Sequence, residues 1–317
     1  MSHLVEEVAE VIRDGPLEGK NNPRQKMYAV SSTWHLARHA HGNIFVSRKL
    51  LRRADKTAEA LEKGFPMTVI TPINPTDLEF DNGTFDSSAF TGQTLANWQT
   101  LAAVIDHTLL KPDATREQVE SLCDEAIRYR FACAMVNPIW ASVAVAMLSG
   151  TGIPVGAVIG FPLGASLVST LRQEAATLAR MGARELDMVI PIGHLKSGNH
   201  QAVEHAIHAT VTVAHHHGAL LKVILETSLL TVEEKLRGAE IAIQCGADFL
   251  KTSTGFASGG ATPADVALLR GVAGGRCGVK ASGGIRKLAD VRTMLEAGAN
   301  RIGASASVAI VRELGAE

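Results

Sequence analysis

Aromatic residues are scarce in this chain, and charge of either sign hardly exceeds the other. Phe, Trp and Tyr make up 4% of the 317 residues, and 31 Lys and Arg face 32 Asp and Glu. A groove that follows a nucleic acid backbone needs an excess of cations and aromatic rings on which bases stack. The composition therefore argues against nucleic acid as a partner.

Cysteines are few, and none is paired in the sequence. The four cysteines lie far apart without a CxxC motif, so neither a zinc module nor a disulfide framework is expected. Histidines are more numerous, but His205, His208 and 215–217 fall on one predicted helix and its end. Cationic groups are typical of a solvated helix terminus, so we expect no metal site there.

Long apolar runs are missing as well. No segment approaches the 18 apolar residues of a membrane span, and the N-terminal sequence MSHLVEEVAEVIRDG lacks the apolar core of a signal peptide. Hydrophobic residues are nevertheless 46% of the chain, enough for a large buried core. We expect a cytoplasmic protein that acts away from membranes.

Two parts of unequal regularity follow each other along the chain. Residues 1–95 form an N-terminal extension with an amphipathic helix around Leu4–Ile12 and a basic segment at 48–53, which fits a solvated helix face better than an anionic-surface patch. No chemistry is assigned to this part. Residues 96–317 are expected to form the main domain.

The main domain repeats a strand and a helix eight times. Short apolar or β-branched runs predict strands at 103–106, 133–136, 155–160, 185–190, 220–226, 248–253, 277–282 and 300–305. Eight alternating units predict a (β/α)8 TIM barrel. A doubly wound open sheet is the alternative, but no GxGxxG follows the first strand and the polar residues spread over many strand ends.

Several helices carry their own start and stop signals. Capping-box spacings occur at Thr115 with Gln118 and at Thr231 with Glu234, and Thr262-Pro263 is typical of a helix start. Glycines in left-handed turns are expected to end the preceding helices at Gly182, Gly246 and Gly298.

Three lysines inside predicted strands need an explanation, since lysine is depleted in strands and rarely buried. Each could simply pair with a carboxylate such as Asp187 or Glu226. Lys251 and Lys280, however, lie on neighbouring strands, and two ammonium groups at short range lower the pKa of one of them. A neutral amine attacks carbonyls to form a Schiff base, and Asp187 could move protons beside it or act only as a counter-ion.

Glycine-rich turns follow the last two predicted strands. The segment 282–286, SGGIR, comes after strand seven, and Gly303 to Ser305 come after strand eight. In such barrels these two loops commonly bind phosphate through amides at a helix N-terminus. The sequence therefore predicts an amine next to a phosphate site.

With these motifs assembled, the chain resembles the deoxyribose-phosphate aldolase family. The matching segments are IDHTLLKPDAT (105–115), VNPIW (136–140), GFPLG (160–164), ARELDMVIPIGHLKSG (183–198), LKVILETSLLT (221–231), GADFLKTSTGFASGGAT (246–262), GVKASGGIR (278–286) and GANRIGASASV (298–308). The resemblance implies that Lys251 forms the Schiff base. Lys280 would perturb it and assist proton movement, and Asp187 would act with a water as general acid and base.

The same resemblance implies a binding site, a reaction and an assembly. Residues that would bind substrate are Asp106, Lys222, Gly255, Gly283, Gly284, Arg286, Gly303 and Ser305. The implied reaction is the reversible cleavage of 2-deoxy-D-ribose 5-phosphate to acetaldehyde and D-glyceraldehyde 3-phosphate, without a metal or organic cofactor. A homodimer or a higher homo-oligomer is expected.

Two positions depart from part of the family, and other functions stay open. Met135 stands where some members have cysteine, and Phe256 where some carry a lysine near the phosphate. The alternatives are a Schiff-base aldolase acting on another phosphosugar or a keto acid, and a non-catalytic phosphosugar-binding barrel. His107 is a further candidate base.

Overall fold

The computed structural model describes residues 85–317. The predicted helix at Leu4–Ile12 and the basic segment 48–53 lie outside the described residues. Among the helices within 85–317, none is both long enough and apolar enough to cross a membrane.

Eight parallel strands close into a barrel in which each strand pairs with the next and β8 pairs with β1. The strands are β1 Ile105–Leu109, β2 Cys133–Val136, β3 Val155–Ile159, β4 Glu185–Val189, β5 Leu220–Ile224, β6 Phe249–Lys251, β7 Gly278–Ser282 and β8 Arg301–Ala304. The predicted (β/α)8 barrel is confirmed, and the alternative of an open doubly wound sheet is wrong.

Helices precede the barrel and connect its strands. They are α1 Ser87–Thr94, α2 Trp98–Ala102, α3 Arg116–Tyr129, α4 Ala141–Leu148, α5 Val168–Met181, α6 Ile192–Lys196, α7 His200–His216, α8 Val232–Gln244, α9 Pro263–Ala273, α10 Leu288–Glu296 and α11 Ser307–Glu313. Two short 3₁₀ helices span Pro138–Trp140 and Thr227–Leu229.

The helix signals of the sequence are confirmed. The Thr115 hydroxyl accepts a hydrogen bond from the Gln118 amide, and the Gln118 side chain accepts one from the Thr115 amide. The same reciprocal pair joins Thr231 and Glu234, and the Thr262 side chain caps α9 with Pro263 at its first position. Each cap satisfies backbone donors that the first helical turn leaves without a partner.

The largest apolar core lies between the strands and the surrounding helices. The chain before the barrel contributes to it, since Phe90 of α1 is buried in this core. The Arg270 guanidinium lies 4.2 Å from the centre of the Phe85 ring, which joins the same segment to α9. The domain boundary after residue 95 stays a prediction.

Seven of the eight strands differ from their predicted bounds by one or more residues, and for two of them the reason is identifiable. The first strand was expected at 103–106 but spans Ile105–Leu109, because the Val104 amide still closes a turn on the Leu101 carbonyl of the preceding helix. The fifth was expected to reach residue 226 but ends at Ile224. Glu226 has φ 45°, a left-handed conformation that cannot continue a strand.

The barrel interior is apolar on one side and charged on the other. Cys133, Met135 and Val158 of β2 and β3 form a separate apolar cluster with Leu110. On the strands from β4 onward and on β1, buried charged residues replace it. Because alternate residues of a strand point to the same face, these charges are brought together inside the closed barrel.

Gly278 leaves the space that the Phe249 ring fills. A Cβ at position 278 would lie 2.2 Å from two atoms of this buried ring. Gly271 on α9 provides a contrast, because a Cβ there would meet nothing within 4 Å.

Gly278→Ala should therefore lower the free energy of unfolding by about 1–3 kcal/mol through overpacking. Gly271→Ala, the matched control, should raise it by about 0.5–1 kcal/mol, because alanine favours the helix. Urea unfolding of both variants measures the difference. Phe249→Leu introduced into Gly278→Ala should recover part of the loss, and equal stability of the two single variants would contradict this packing.

Candidate active site

Lys251 and Lys280 meet inside the barrel at a single carboxylate. Lys251 is the last residue of β6 and lies directly opposite Lys280 of β7 in the strand register. The Lys251 Nζ lies 2.8 Å and the Lys280 Nζ 2.7 Å from Oδ2 of Asp187 on β4. The two amines thus bond to one oxygen atom, and both are buried.

A second layer of ion pairs lies around this contact. The Lys222 Nζ donates to Asp187 Oδ1 at 2.8 Å and approaches the Glu185 carboxylate at 2.5 Å. Asp106 lies 2.5 Å from the Lys280 Nζ and 2.5 Å from the Arg301 Nε. The Arg301 Nη2 contacts Glu185 at 2.7 Å, which closes the network.

These pairs hold four of their members in the charged form, namely Asp106, Asp187, Lys222 and Arg301. Burial acts to raise the pKa of the Asp106 and Asp187 carboxyl groups, but the surrounding cations outweigh it and keep both pKa values well below the usual range. Burial likewise acts to lower the pKa of Lys222 and Arg301. The carboxylates of Asp106 and Glu185 reverse this effect in both groups, with Asp187 also acting on Lys222, and the pKa of each lies above its ordinary value.

The pKa of Lys251 shifts downward, opposite to the pKa values of Lys222 and Arg301. Burial, the largest cause, lowers the pKa of its amine to about 8, Asp187 opposes the shift, and the ammonium of Lys280 adds to it. From the sequence, the neighbouring cation was the expected cause of this low pKa, but the loss of solvent is the stronger cause. The cluster contains four cations and three carboxylates, so releasing the proton of Lys251 brings it to electrical balance.

Lys251 also opens to a cavity of about 360 Å³ at the carboxyl end of the barrel. Most of the expected binding residues line this cavity, namely Gly255, Gly283, Gly284, Arg286, Gly303 and Ser305. Asp106, Asp187, Lys222 and Lys280 do not line it and lie fully buried in the barrel interior. The expected site residues thus form two groups. The residues that line the cavity are its wall, and the buried charged residues beneath it are the charged floor.

Two glycine amides of the wall are available to an anion. Gly283 and Gly284 have φ of 91° and 81°, a region that favours glycine, and their amides donate to no other described residue. The predicted helix terminus contributes less than expected. The amides of Arg286 and Lys287, just before α10, already donate to the Asp290 carboxylate at 2.9 and 3.0 Å.

Gly303 makes room for the charged floor. A Cβ at this position would lie 3.0 Å from Cε of Lys280 and 2.9 Å from Cβ of Ser282. A side chain on β8 would therefore push the Lys280 amine away from the carboxylates that hold it.

This chain is similar in sequence and fold to known aldolases. A model of the DeoC/LacD family of aldolases matches residues 100–313. The chain belongs to this family of aldolases. It is 52% identical to a deoxyribose-phosphate aldolase of Geobacillus sp. (strain WCH70) over 211 residues, which cover 67% of this chain and 94% of that protein.

Other relatives show the same extent of similarity. A deoxyribose-phosphate aldolase of Listeria monocytogenes is 53% identical over 212 residues, covering 67% of this chain and 95% of the relative. The tetrameric deoxyribose phosphate aldolase of Aeropyrum pernix superposes with a TM-score of 0.67 at 36% identity, over 72% of this chain and 96% of that one.

Sequence reasoning missed two charged residues of the aldolase interior. Glu185 precedes Asp187 by two positions on β4, and Arg301 precedes Gly303 by two positions on β8. Residues two apart on a strand face the same side, so this period was the signal that could have found them. The partners of Arg301 are distant in sequence, and only the closed barrel brings them together.

The sequence left open that Glu226 pairs with one of the strand lysines. In the structure Glu226 instead supports the cavity wall. Its buried carboxylate accepts hydrogen bonds from the hydroxyl and the amide of Thr254. The Thr254 hydroxyl in turn accepts one from the Phe256 amide at 3.0 Å. The loop after β6 is thereby held beside the cavity.

The two departures from part of the family are apolar contacts in this aldolase. Phe256 lines the cavity and meets the Phe161 ring edge to face, with the ring centres 5.3 Å apart. Met135 is fully buried in the apolar side of the barrel interior, where its Cε fills the space in front of Gly156.

The histidine candidates lie away from the cavity. The His107 Nε2 lies 2.7 Å from the Glu125 carboxylate of α3, so its side chain faces the helix layer and cannot act as a base in the cavity. His215 pairs with Asp248 at 2.8 Å.

Within residues 85–317, one group could in principle hold a metal ion. Ligand atoms of Asp106, Cys133 and Glu185 lie within 4.8 Å of one another. Both carboxylates, however, are already paired with cationic side chains. Burial raises the pKa of the Cys133 thiol well above its usual value, so the thiolate that a metal requires is disfavoured. These residues fit a salt-bridge cluster and not a metal site.

The titration of Lys251 can be tested by chemical labelling. Because its pKa is lowered to about 8, acetylation by limiting acetic anhydride should rise with pH around a midpoint near 8. Lys280→Met removes one cation and leaves three cations facing three carboxylates, so the midpoint should move upward. Mass spectrometry of the Lys251 peptide measures both profiles.

Lys235→Met is the matched control, since Lys235 pairs with Asp265 at 2.5 Å between α8 and α9, outside the barrel. It should leave the midpoint unchanged. A midpoint in Lys280→Met at or below that of the unaltered protein would contradict the electrostatic account.

Proposed function

We propose that this aldolase reversibly cleaves 2-deoxy-D-ribose 5-phosphate into acetaldehyde and D-glyceraldehyde 3-phosphate through a Schiff base on Lys251. The observation that carries the proposal is the buried amine of Lys251, which shares an Asp187 oxygen with Lys280 at the floor of a cavity with an amide-rich wall. The names of the relatives support the choice of substrate.

The first step requires a neutral amine. With a pKa of about 8, about a quarter of the Lys251 side chains are neutral at pH 7.5, against about one in a thousand at the ordinary pKa. The Nζ lone pair attacks C1 of the open-chain aldehyde and the carbonyl oxygen takes up a proton. Loss of water from this adduct leaves a protonated imine on Lys251.

The imine then draws the electrons of the C2–C3 bond. The C3 hydroxyl gives up its proton, C3 becomes the aldehyde of glyceraldehyde 3-phosphate, and the electron pair of the broken bond forms an enamine. Protonation of C2 and hydrolysis release acetaldehyde and free Lys251. We assign the proton transfers to Asp187 and Lys280, directly or through water, because both groups contact Lys251 or its carboxylate partner.

The phosphate group is assigned to the wall of the cavity. The amides of Gly283 and Gly284 and the guanidinium of Arg286 are donors suited to a dianion, and Gly255, Gly303 and Ser305 complete the wall. Asp106 and Lys222 are assigned to the support of Lys280 and Asp187 below the substrate. In this assignment the chemistry needs no metal or organic cofactor.

Borohydride trapping tests the proposed nucleophile. Acetaldehyde with borohydride should add an ethyl group to Lys251, and mass spectrometry should find it on the peptide containing this residue. Lys251→Leu should lose at least about 10³-fold in kcat in a coupled assay of deoxyribose 5-phosphate cleavage, because no other amine of the cluster reaches the cavity wall.

Lys287→Leu is the matched control and should keep both activity and trapping, since Lys287 is exposed and does not line the cavity. Circular dichroism checks that Lys251→Leu is folded. An active protein whose Lys251 remains unmodified would refute the assignment of Lys251 as the nucleophile. Cleavage of another phosphosugar or a keto acid in preference to deoxyribose 5-phosphate would favour the alternative aldolase, and the absence of any cleavage a binding protein.

The proposal includes a homo-oligomeric state. Ile139, Leu163 and Leu167 leave between 73% and 75% of their surface exposed near the carboxyl end of the barrel, and the relative from Aeropyrum pernix is a tetramer. Analytical ultracentrifugation should give at least twice the mass of one chain. Sedimentation as a monomer at micromolar concentration would refute this part.

A reducing, cytoplasmic location is the last part of the proposal. Cys123, Cys133, Cys245 and Cys277 are buried, and none of them forms a disulfide within residues 85–317. Free thiols are typical of proteins in reducing compartments.

A further inference from the structure

Lys111 is a cation of the cavity wall that has no role so far. It follows β1, lines the cavity together with Arg286 and the Gly283 segment, and is exposed to solvent. Among residues 85–317, its ammonium group has no ion pair and no hydrogen bond. This differs from the lysines of the barrel interior, which contact carboxylates.

The backbone that carries Lys111 is held in place. The Asn137 side chain donates hydrogen bonds to the carbonyls of Leu110 at 3.0 Å and Lys111 at 3.4 Å. The Ala114 amide donates to the Lys111 carbonyl at 3.1 Å, and Thr115 then caps α3. A fixed backbone limits the positions from which the ammonium group can reach into the cavity.

The charge of the cavity wall has one sign. Its ionisable lining residues are Lys111, Lys251 and Arg286, and no carboxylate lines it. Once Lys251 has bound its substrate, the other two are the remaining cations of the wall. The loop after β6 adds no cation beside them, because it presents the apolar Phe256.

The barrel order places Lys111 beside the proposed phosphate site. β1 pairs with β8, and β8 pairs with β7. The loop of Lys111 therefore neighbours the loop of Ser305, and the loop of Gly283 and Gly284 follows it around the rim. An unpaired ammonium near exposed amides favours a doubly charged anion.

We propose that Lys111 is a substrate-binding residue that contacts the phosphate group from the β1 side of the cavity and sets the preference for phosphorylated substrates. This inference rests on the proposed function. It adds a second cation to Arg286 in the recognition of phosphate, and it assigns Lys111 no part in the transfer of protons.

Lys111→Met should lower kcat/KM for 2-deoxyribose 5-phosphate about tenfold, mainly through a higher KM, which corresponds to about 1.4 kcal/mol. The kcat/KM for unphosphorylated 2-deoxyribose should not change. Lys111→Arg should keep most of the preference because it keeps the charge. Lys287→Met, which removes an exposed lysine next to Arg286 but outside the cavity, is the control for long-range charge effects.

Titration calorimetry with inorganic phosphate separates this inference from the proposed function, because it needs no turnover. Lys111→Met should bind phosphate about tenfold more weakly than the unaltered protein and than Lys287→Met. Equal phosphate affinity in the two variants would overturn the inference, as would an equal loss of kcat/KM with both sugars. Failure of the unaltered protein to cleave deoxyribose 5-phosphate would instead refute the proposed function.

Discussion

The carboxylate of Asp187 accepts hydrogen bonds from three buried ammonium groups, those of Lys222, Lys251 and Lys280. Burying a charge is costly unless partners replace the lost water, and here each carboxylate of the interior has at least two cationic partners. With Arg301 included, the cluster contains four cationic side chains and only three carboxylates. Lys251, which reaches the cavity wall, is the member that can become neutral with the least disturbance.

This cluster depends on the closure of the barrel. Only a closed ring brings β1 and β8 beside each other, so that Asp106 can hold both Arg301 and Lys280. The other side of the interior is filled by Met135 and Val158, which supply packing without charge. The low dielectric constant of this apolar side strengthens the electrostatic interactions among the charged residues on the other side.

The two regions of the site meet different electrostatic demands. The floor has to lower the pKa of the Lys251 amine, which requires burial next to close ion pairs. The wall has to attract a dianion that arrives from solvent, which requires exposed donors and cations without carboxylate partners. Arg286 and the amides of Gly283 and Gly284 meet this second demand.

The sequence by itself determined the eight alternating units, the helix caps at Thr115, Thr231 and Thr262, and the pairing of Lys251 with Lys280 on neighbouring strands. These features follow from short-range periodicity and local hydrogen bonds. Only the tertiary structure decided which charges share an oxygen, since the partners lie 93 residues apart for Lys280 and Asp187 and more for Arg301. It also decided that burial outweighs the neighbouring cation in lowering the pKa of Lys251, because desolvation depends on packing from all sides.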